Sequence, residues 1–399
     1  MHNSSITLQD TNVILPLQIF FSNITQFPGV YIALNFHPKI SMSLGIGLVV
    51  LGVFCSSFCK SLFWFSVTYG VIYGLGVGMA YTTPLLLSWS HFPKIKGRIS
   101  GVIISGFGFG AFCFNFVSTF IINPNNEKAS EKEKNDGVTD HYFKDSIAEN
   151  LPSTLRLLSL MYLCLGTVGI ILTKRLLKSE ESESGPSLCP SIKEGVKSSV
   201  FWQTFIMCLC SVSTGLYVAG AYKNFGNSTI DNDDFLAIVG SISSLFNGGF
   251  RYVWGYIMDK TNFRKTYFIL IGLQSLTIGT FYFVASVDAL FLIWVCILMS
   301  CEGGHFAIFP TLHAQIYGQQ MGGKVFSIFF YCFGISSLTS FVIQLYVVQE
   351  LGYEPMFFIL LGLSLVSFGM NLFFSEKSPW AKDFDVLVDS DEPKDSISN

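Results

Sequence analysis

The chain has 399 residues, half of them apolar and only 13% charged, with 40 phenylalanines and a mean hydropathy of +0.51. That balance argues against a soluble enzyme or a basic nucleic-acid-binding domain and fits a polytopic membrane protein. The net charge of −3 says little, but its distribution along the chain says a good deal.

Runs of roughly 20 apolar residues, enough for a helix to cross the hydrocarbon core, recur along the sequence. The first, 11–34, contains Pro16, Gln18, Gln26 and Pro28 but has neither the basic start nor the small-residue cleavage site of a signal peptide, so it reads as structural. Runs 40–59, 62–89, 99–122 and 154–173 follow. Gly70, Gly74 and Gly78 are spaced by four within the third, while Gly101, Gly106, Gly108 and Gly110 crowd the fourth. Small residues at such spacing let helices approach closely or bend. The stretch 123–152 reads as a polar, mobile insertion in an external loop. Residues 179–199, with a Ser/Glu run and Gly185-Pro186, read as a flexible cytosolic linker. Six more runs follow at 200–222, 235–258, 266–287, 289–309, 325–348 and 356–374, then an acidic tail at 379–399 for which disorder is expected. The predicted organisation is a five-span bundle over 1–178 and a six-span bundle over 200–378, eleven spans in all.

Basic residues sit in alternate loops: Lys39; Lys94, Lys96 and Arg98; Lys174, Arg175 and Lys178; Lys193 and Lys197; Lys260, Arg264 and Lys265; Lys324. The intervening short loops carry Asp231, Asp233, Asp234, Asp288, Glu350 and Glu354. The positive-inside rule puts the first set and the C-terminal tail in the cytosol. The cysteines lie almost entirely within spans and read as packing residues, with no metal-ligand spacing. The sequon Asn227-Ser228-Thr229 falls in an external loop on this reading.

The two halves repeat at a constant offset of 226 residues. Gly29 pairs with Gly255, Lys39 with Lys265, Gly78 with Gly304 and Pro84 with Pro310; Gly97, Arg98 and Gly108 pair with Gly323, Lys324 and Gly334. Such self-similarity in an apolar chain is the mark of a transporter built from two homologous bundles with the substrate between them. Carried backwards, the offset gives Val200–Tyr222 no mate within the chain, so the expectation is an N-terminal bundle without its first helix.

Asn247, Arg251, Gly255 and Asp259 are spaced by four and share one helix face. Arg251 lies about 6 Å from the centre of its span. A charge at that depth must face protein, water or a counter-ion, and a planar guanidinium matches a carboxylate. Substrate binding through Arg251 and Asn247 is one reading; a static salt bridge from Arg251 to Glu302 is the other. Glu302, with His305 one turn on, carries either a coupling proton or the resting counter-charge. A lone histidine in a helix is more often a packing residue. At the cytosolic helix ends, Gly29 and Lys39 in the first half and Gly255, Asp259, Arg264 and Lys265 in the second read as gating loops. Ala33 stands where the second copy has Asp259, so a charge gate would be one-sided.

These loops resemble the signature loops of the major facilitator superfamily. More narrowly, Tyr73-Gly74-Leu75-Gly76-Val77-Gly78-Met79-Ala80-Tyr81, Phe92-Pro93-Lys94-Ile95-Lys96-Gly97-Arg98 and Gly303-Gly304-His305-Phe306-Ala307-Ile308-Phe309-Pro310 are similar to the oxalate/formate antiporter and monocarboxylate porter branch. The resemblance implies an all-α fold of two pseudo-symmetric bundles and transport of a small organic anion, with or without protons. It marks Arg251 as the substrate arginine; Asn247, Tyr81 and Tyr331 are the further candidate substrate contacts in this chain. Where dicarboxylate-handling relatives carry a second base, this chain has Tyr331-Cys332-Phe333-Gly334, which favours a monocarboxylate. Asn247 replaces the aspartate usual in proton-coupled porters. No catalytic set, phosphate loop or metal cluster stands out. The expectation is a monomeric, cofactor-free multi-pass protein of the lipid bilayer, either a transporter or a non-transporting relative that senses or scaffolds.

Overall fold

In lipid, a chain segment must satisfy its backbone polar groups internally, and for an apolar run of spanning length the helix does so. The computed structural model describes residues 11, 13–125, 131–135, 138–142, 145–174, 189–230 and 232–380, and every apolar run within it is helical. The N-terminal bundle comprises α1 (Ile14–Asn35), α2 (Pro38–Ser56), α3 (Leu62–His91), α4 (Lys96–Ile122) and α5 (Leu151–Leu172). The C-terminal bundle comprises α6 (Ser199–Thr229), α7 (Asp233–Lys260), α8 (Phe263–Val284) and α9 (Asp288–Ile316). It is completed by α10 (Gln319–Phe329), α11 (Tyr331–Leu351) and α12 (Tyr353–Leu372). α10 and α11 form one span broken at Phe330, and a π-helical stretch over Ser66–Ile72 widens α3.

Among the described residues nine spans are long and apolar enough to cross a membrane on composition alone. The two long helices that fall short are α1 and α7. They are also repeat mates, and each turns its polar residues into protein: Ser22, Asn23 and Gln26 on α1, Asn247 and Arg251 on α7, all buried. Low hydropathy here marks the helices that line the molecular centre, where polar groups find partners.

α1 packs against α10 and α11, and α7 packs against α4. An offset of 226 residues carries α1 onto α7 and α4 onto α10–α11, so each inter-bundle contact is the image of the other. This is the pseudo-two-fold that the repeat predicts. Glycines make the contacts close. A Cβ on Gly101 would stand 2.8 Å from the Tyr252 Cα, and one on Gly108 would stand 2.8 Å from the Gly248 backbone nitrogen. Within the N-terminal bundle, Gly74 and Gly78 press α3 onto Gln18 and Ser22 of α1, while Gly70 lies over Leu17.

The symmetry fails on one face. Cys332, Phe333 and Ser336 are buried beneath α6, where the Ser336 hydroxyl donates to the Leu209 carbonyl at 3.0 Å. Their repeat mates are bare: Gly106 and Phe107 are exposed, and Gly106 and Gly110 have open space beside them. Among the described residues, nothing covers in the N-terminal bundle the seat that α6 fills in the C-terminal one.

Three local expectations change. The 123–152 insertion holds an antiparallel hairpin, Glu131–Asn135 with Val138–Tyr142, and a short helix Asp145–Ala148. The sequence signal for it was Asp136-Gly137 between two short strands, a favoured hairpin turn pair. In the linker, residues 179–188 lie outside the described set, but Ile192–Lys197 forms a helix capped by the Ser191 hydroxyl. Gly195 packs it against Tyr317 and Val325. The sequon lies in the last turn of α6, exposed, because the helix continues past the apolar run. The tail beyond residue 380 lies outside the described residues, and Trp380 itself stacks on Tyr317 at 5.6 Å.

Candidate functional site

A cavity of about 630 Å³ lies between the bundles. Thr11, Ile14 and Leu15 line its outer part, and Tyr81, Arg251, Phe306 and Phe330 line its inner part. On the orientation expected from the positive-inside rule, the cavity reaches toward the external side.

Arg251 projects from α7 and is 3% exposed. One guanidinium nitrogen, Nη2, donates to the Asn247 Oδ1 at 2.7 Å, one turn back along the same helix. The other, Nη1, crosses to the N-terminal bundle and donates to the Ile104 carbonyl at 3.0 Å. Its Nε has no hydrogen-bond partner among the described residues. The charged group also lies over the rings of Phe306 and Phe107, at 5.0 and 5.5 Å, where the ring faces stabilise a cation.

Asn247 turns its amide nitrogen to the Glu302 Oε2 at 3.1 Å and to the Met299 carbonyl at 3.1 Å. Arg251 and Glu302 are therefore joined through an amide rather than as a direct salt bridge. Two opposite charges in one buried site remain individually solvated by dipoles while cancelling overall, which limits the cost of burying either. Glu302 fits because α6 has glycine opposite: a Cβ on Gly215 would stand 2.6 Å from the Glu302 Cβ. Two buried hydroxyls on the cavity wall, those of Tyr81 and Tyr217, have no hydrogen-bond partner.

His305 does not join Glu302. It is fully buried in the C-terminal bundle, its Nδ1 2.8 Å from the Cys301 carbonyl and its ring packed against Tyr267 and Phe309. Three residues on is a rotation of only about 60° around the helix, but it is enough to seat His305 against Tyr267 of α8 while Glu302 lies against Asn247 of α7 and Gly215 of α6. Tyr331 does not line the cavity either. The break between α10 and α11 puts Phe330 there instead, 5.2 Å from the Tyr81 ring. Phe330 and Phe306 also pack on Phe333, and these rings form the cavity floor.

Below the floor the bundles are sealed. The Asp259 carboxylate accepts hydrogen bonds from the Gly97 and Arg98 backbone nitrogens, each at 2.8 Å, and lies 3.3 Å from the Arg98 Nε. A carboxylate at the exposed N–H groups of a helix start is favoured by both hydrogen bonding and the helix dipole. Gly97 and Gly255 touch backbone to backbone beside it. The Lys96 Nζ donates to the Ala314 carbonyl at 3.3 Å near the end of α9. The other gating-loop residues act inside their own bundles. Gly29 abuts Met79, and the Lys39 Nζ donates to the Ile171 carbonyl at 3.4 Å. Arg264 donates to the Leu372 carbonyl, while its backbone nitrogen donates to Glu376 at 2.7 Å. The Lys265 backbone nitrogen donates to the Asn262 side chain, and its own side chain is exposed.

Sequence reasoning did not find the Ile104 carbonyl, Gly215 or the Lys96 bridge. A backbone acceptor has no residue signature, and a glycine on α6 has no repeat mate to draw notice.

The family model of the Major Facilitator Superfamily matches residues 1–338 and again 200–388. The chain belongs to the major facilitator superfamily. It is 26% identical over 377 residues to Apicoplast pyruvate carrier 1 of Toxoplasma gondii, covering 83% of this chain and 67% of that protein. It is 24% identical over 352 residues to the oxalate:formate antiporter of Oxalobacter formigenes, covering 86% and 77%. Among solved structures, the proton:xylose symporter XylE aligns with a TM-score of 0.68 at 12% identity, covering 94% of this chain and 89% of that one. The transporter FucP in the outward conformation aligns at 0.67 with 14% identity, covering 93% and 91%. Identities this low show the shared fold: an integral, multi-pass facilitator.

Proposed function

We propose that this facilitator is a secondary transporter that moves a small organic monoanion by alternating access. The observation that carries the reading is Arg251, a buried cation on the wall of the inter-bundle cavity with an unpartnered Nε, beside the unpartnered hydroxyl of Tyr81. A carboxylate accepting from both satisfies two buried donors at once, and the penalty for leaving them unmade is removed on binding. The names of its relatives support the same class: a pyruvate carrier, an oxalate:formate antiporter and, at 22% identity over 375 residues, monocarboxylate transporter 12-B of Danio rerio.

Charge favours a monoanion. Arg251 is already balanced by Glu302, and no lysine or arginine occurs at Tyr331–Gly334 to meet a second carboxylate. Glu302 then has two roles open to it, releasing a proton during the cycle or holding the empty guanidinium. Asn247 serves as a positioning residue for both charges. Alternating access follows from the layout: binding reaches the inter-bundle contacts Arg251–Ile104 and Tyr81–Phe330, and release to the cytosol requires the Asp259–Gly97 seal to part.

Uptake by proteoliposomes of the full chain, against a panel of labelled carboxylates, tests the reading. Transport of a monocarboxylate that Arg251→Ala abolishes supports it. Uptake that survives Arg251→Ala unchanged, or a dicarboxylate carried in preference to formate and lactate, refutes it.

A further inference from the structure

The cavity is bipolar, and its two sides suggest more than a carboxylate. The C-terminal bundle supplies the charged groups Arg251 and Glu302 together with Asn247. The facing wall from the N-terminal bundle is a stripe along α3, Tyr69, Tyr73, Val77 and Tyr81, spaced by four and all lining the cavity. Tyr69 and Tyr73 are stacked, their centroids 5.6 Å apart and their planes 21° apart, on the π-helical stretch where the turn widens. The Gln18 side chain holds that stretch by donating to the Tyr69 carbonyl at 2.8 Å. π-helical bulges of this kind concentrate at functional sites. The repeat mates of the stripe are Val295, Met299, Gly303 and Ala307. Of these, Met299 lines the cavity, whereas Val295, Gly303 and Ala307 are buried within the C-terminal bundle, so the ring stripe belongs to one wall alone.

From this layout we infer that the preferred substrate is an aryl-substituted monocarboxylate, its carboxylate at Arg251 and Tyr81 and its ring against the Tyr69–Tyr73 stripe. The inference rests on the carboxylate reading above and extends it. An acid of one to three carbons engages only the inner end of a cavity of about 630 Å³ and leaves the stripe facing water. An aryl acid spans both ends. Covering part of a ring's apolar surface, together with an aromatic pair contact, corresponds to about 20-fold tighter binding.

The test measures binding, so it does not depend on turnover. The purified full chain is heated with acetate, pyruvate, phenylacetate or phenylpyruvate, and the rise in Tm with concentration gives each affinity. The expected result is phenylacetate tighter than acetate, and phenylpyruvate tighter than pyruvate, each by about 20-fold. Tyr73→Ala should cut that preference at least about fivefold with acetate unchanged, and Tyr73→Phe should keep it. If Tyr73→Ala fails to fold, the wild-type ratios alone decide. Acetate and pyruvate binding as tightly as their aryl counterparts, but only with Arg251 intact, overturns the ring inference and leaves the carboxylate site standing. Binding of all four acids unaffected by Arg251→Ala overturns the carboxylate reading itself, and with it this one.

Discussion

On the transport reading proposed above, Asp259 closes the cytosolic end, and its removal should shift the carrier toward the state open on that side. The carboxylate offers one oxygen to the Gly97 N–H and the other to the Arg98 N–H, both at 2.8 Å. In Asp259→Asn one of those oxygens becomes an NH₂, so one donor of the α4 start loses its acceptor and faces another donor. A hydrogen bond to a charged group contributes about 1.5–3 kcal/mol, and a carboxylate at a helix start adds about 0.3–1 kcal/mol. The Arg98 contact is discounted, because that side chain is 33% exposed and screened. The loss is about 2 kcal/mol, or about 30-fold in the open-to-closed ratio, since the bonds join opposite bundles and break when they part. Ala314 is fully buried beneath the seal, so a cysteine there reports the opening. In membranes exposing the cytosolic face, Ala314→Cys should react with an impermeant maleimide about 30-fold faster when combined with Asp259→Asn, measured over the background of native cysteines. A rate within about twofold of the Asp259 parent would show that this carboxylate is not what holds the cytosolic end shut.

Arg251→Lys should lower uptake by at least about tenfold, because a point charge cannot reproduce the fork that meets Asn247 and Ile104 at once; initial rates in proteoliposomes check this. Glu302→Gln separates its two roles: a proton carrier loses its response to a pH gradient but retains counterflow exchange, whereas a resting counter-ion leaves Arg251 uncompensated and lowers the Tm of the empty carrier by several degrees. If the variant matches the parent in both measurements, Glu302 has neither role. Gly215→Ala should displace Glu302, since the new Cβ would stand 2.6 Å from its Cβ; impaired binding with little change in expression is expected, and parental affinity would contradict the packing. Gly78→Val drives a side chain into the Ser22 backbone and should cost more than about 3 kcal/mol, read as loss of the monodisperse peak on size exclusion.

Much of this architecture was written into local chemistry. Nine of the eleven apolar runs are, among the described residues, long and apolar enough to cross a membrane, and in lipid a run of that length satisfies its backbone groups as a helix. The 226-residue offset preserved glycines and prolines whose backbone demands recur in both bundles, and so it announced the pseudo-two-fold. Arg251 was visible because a charge so deep in a span requires a reason. Which groups meet it was not visible. Asn247 and Arg251 are one turn apart and readable as a pair, but Glu302 reaches them only through the α7–α9 contact, and Ile104 only across the bundles. His305 is one turn from Glu302 in sequence, yet the packing of α8 rather than α7 beside it puts it in the aromatic core with Tyr267. Phe330 displaced Tyr331 from the cavity because the span breaks there, a backbone event with no glycine or proline at the site to mark it. Sequence determined which segments cross the membrane and which charges need partners, since both follow from the cost of desolvation along one helix. The partners were decided by rotation and contact between helices, which depend on side chains far apart in the chain.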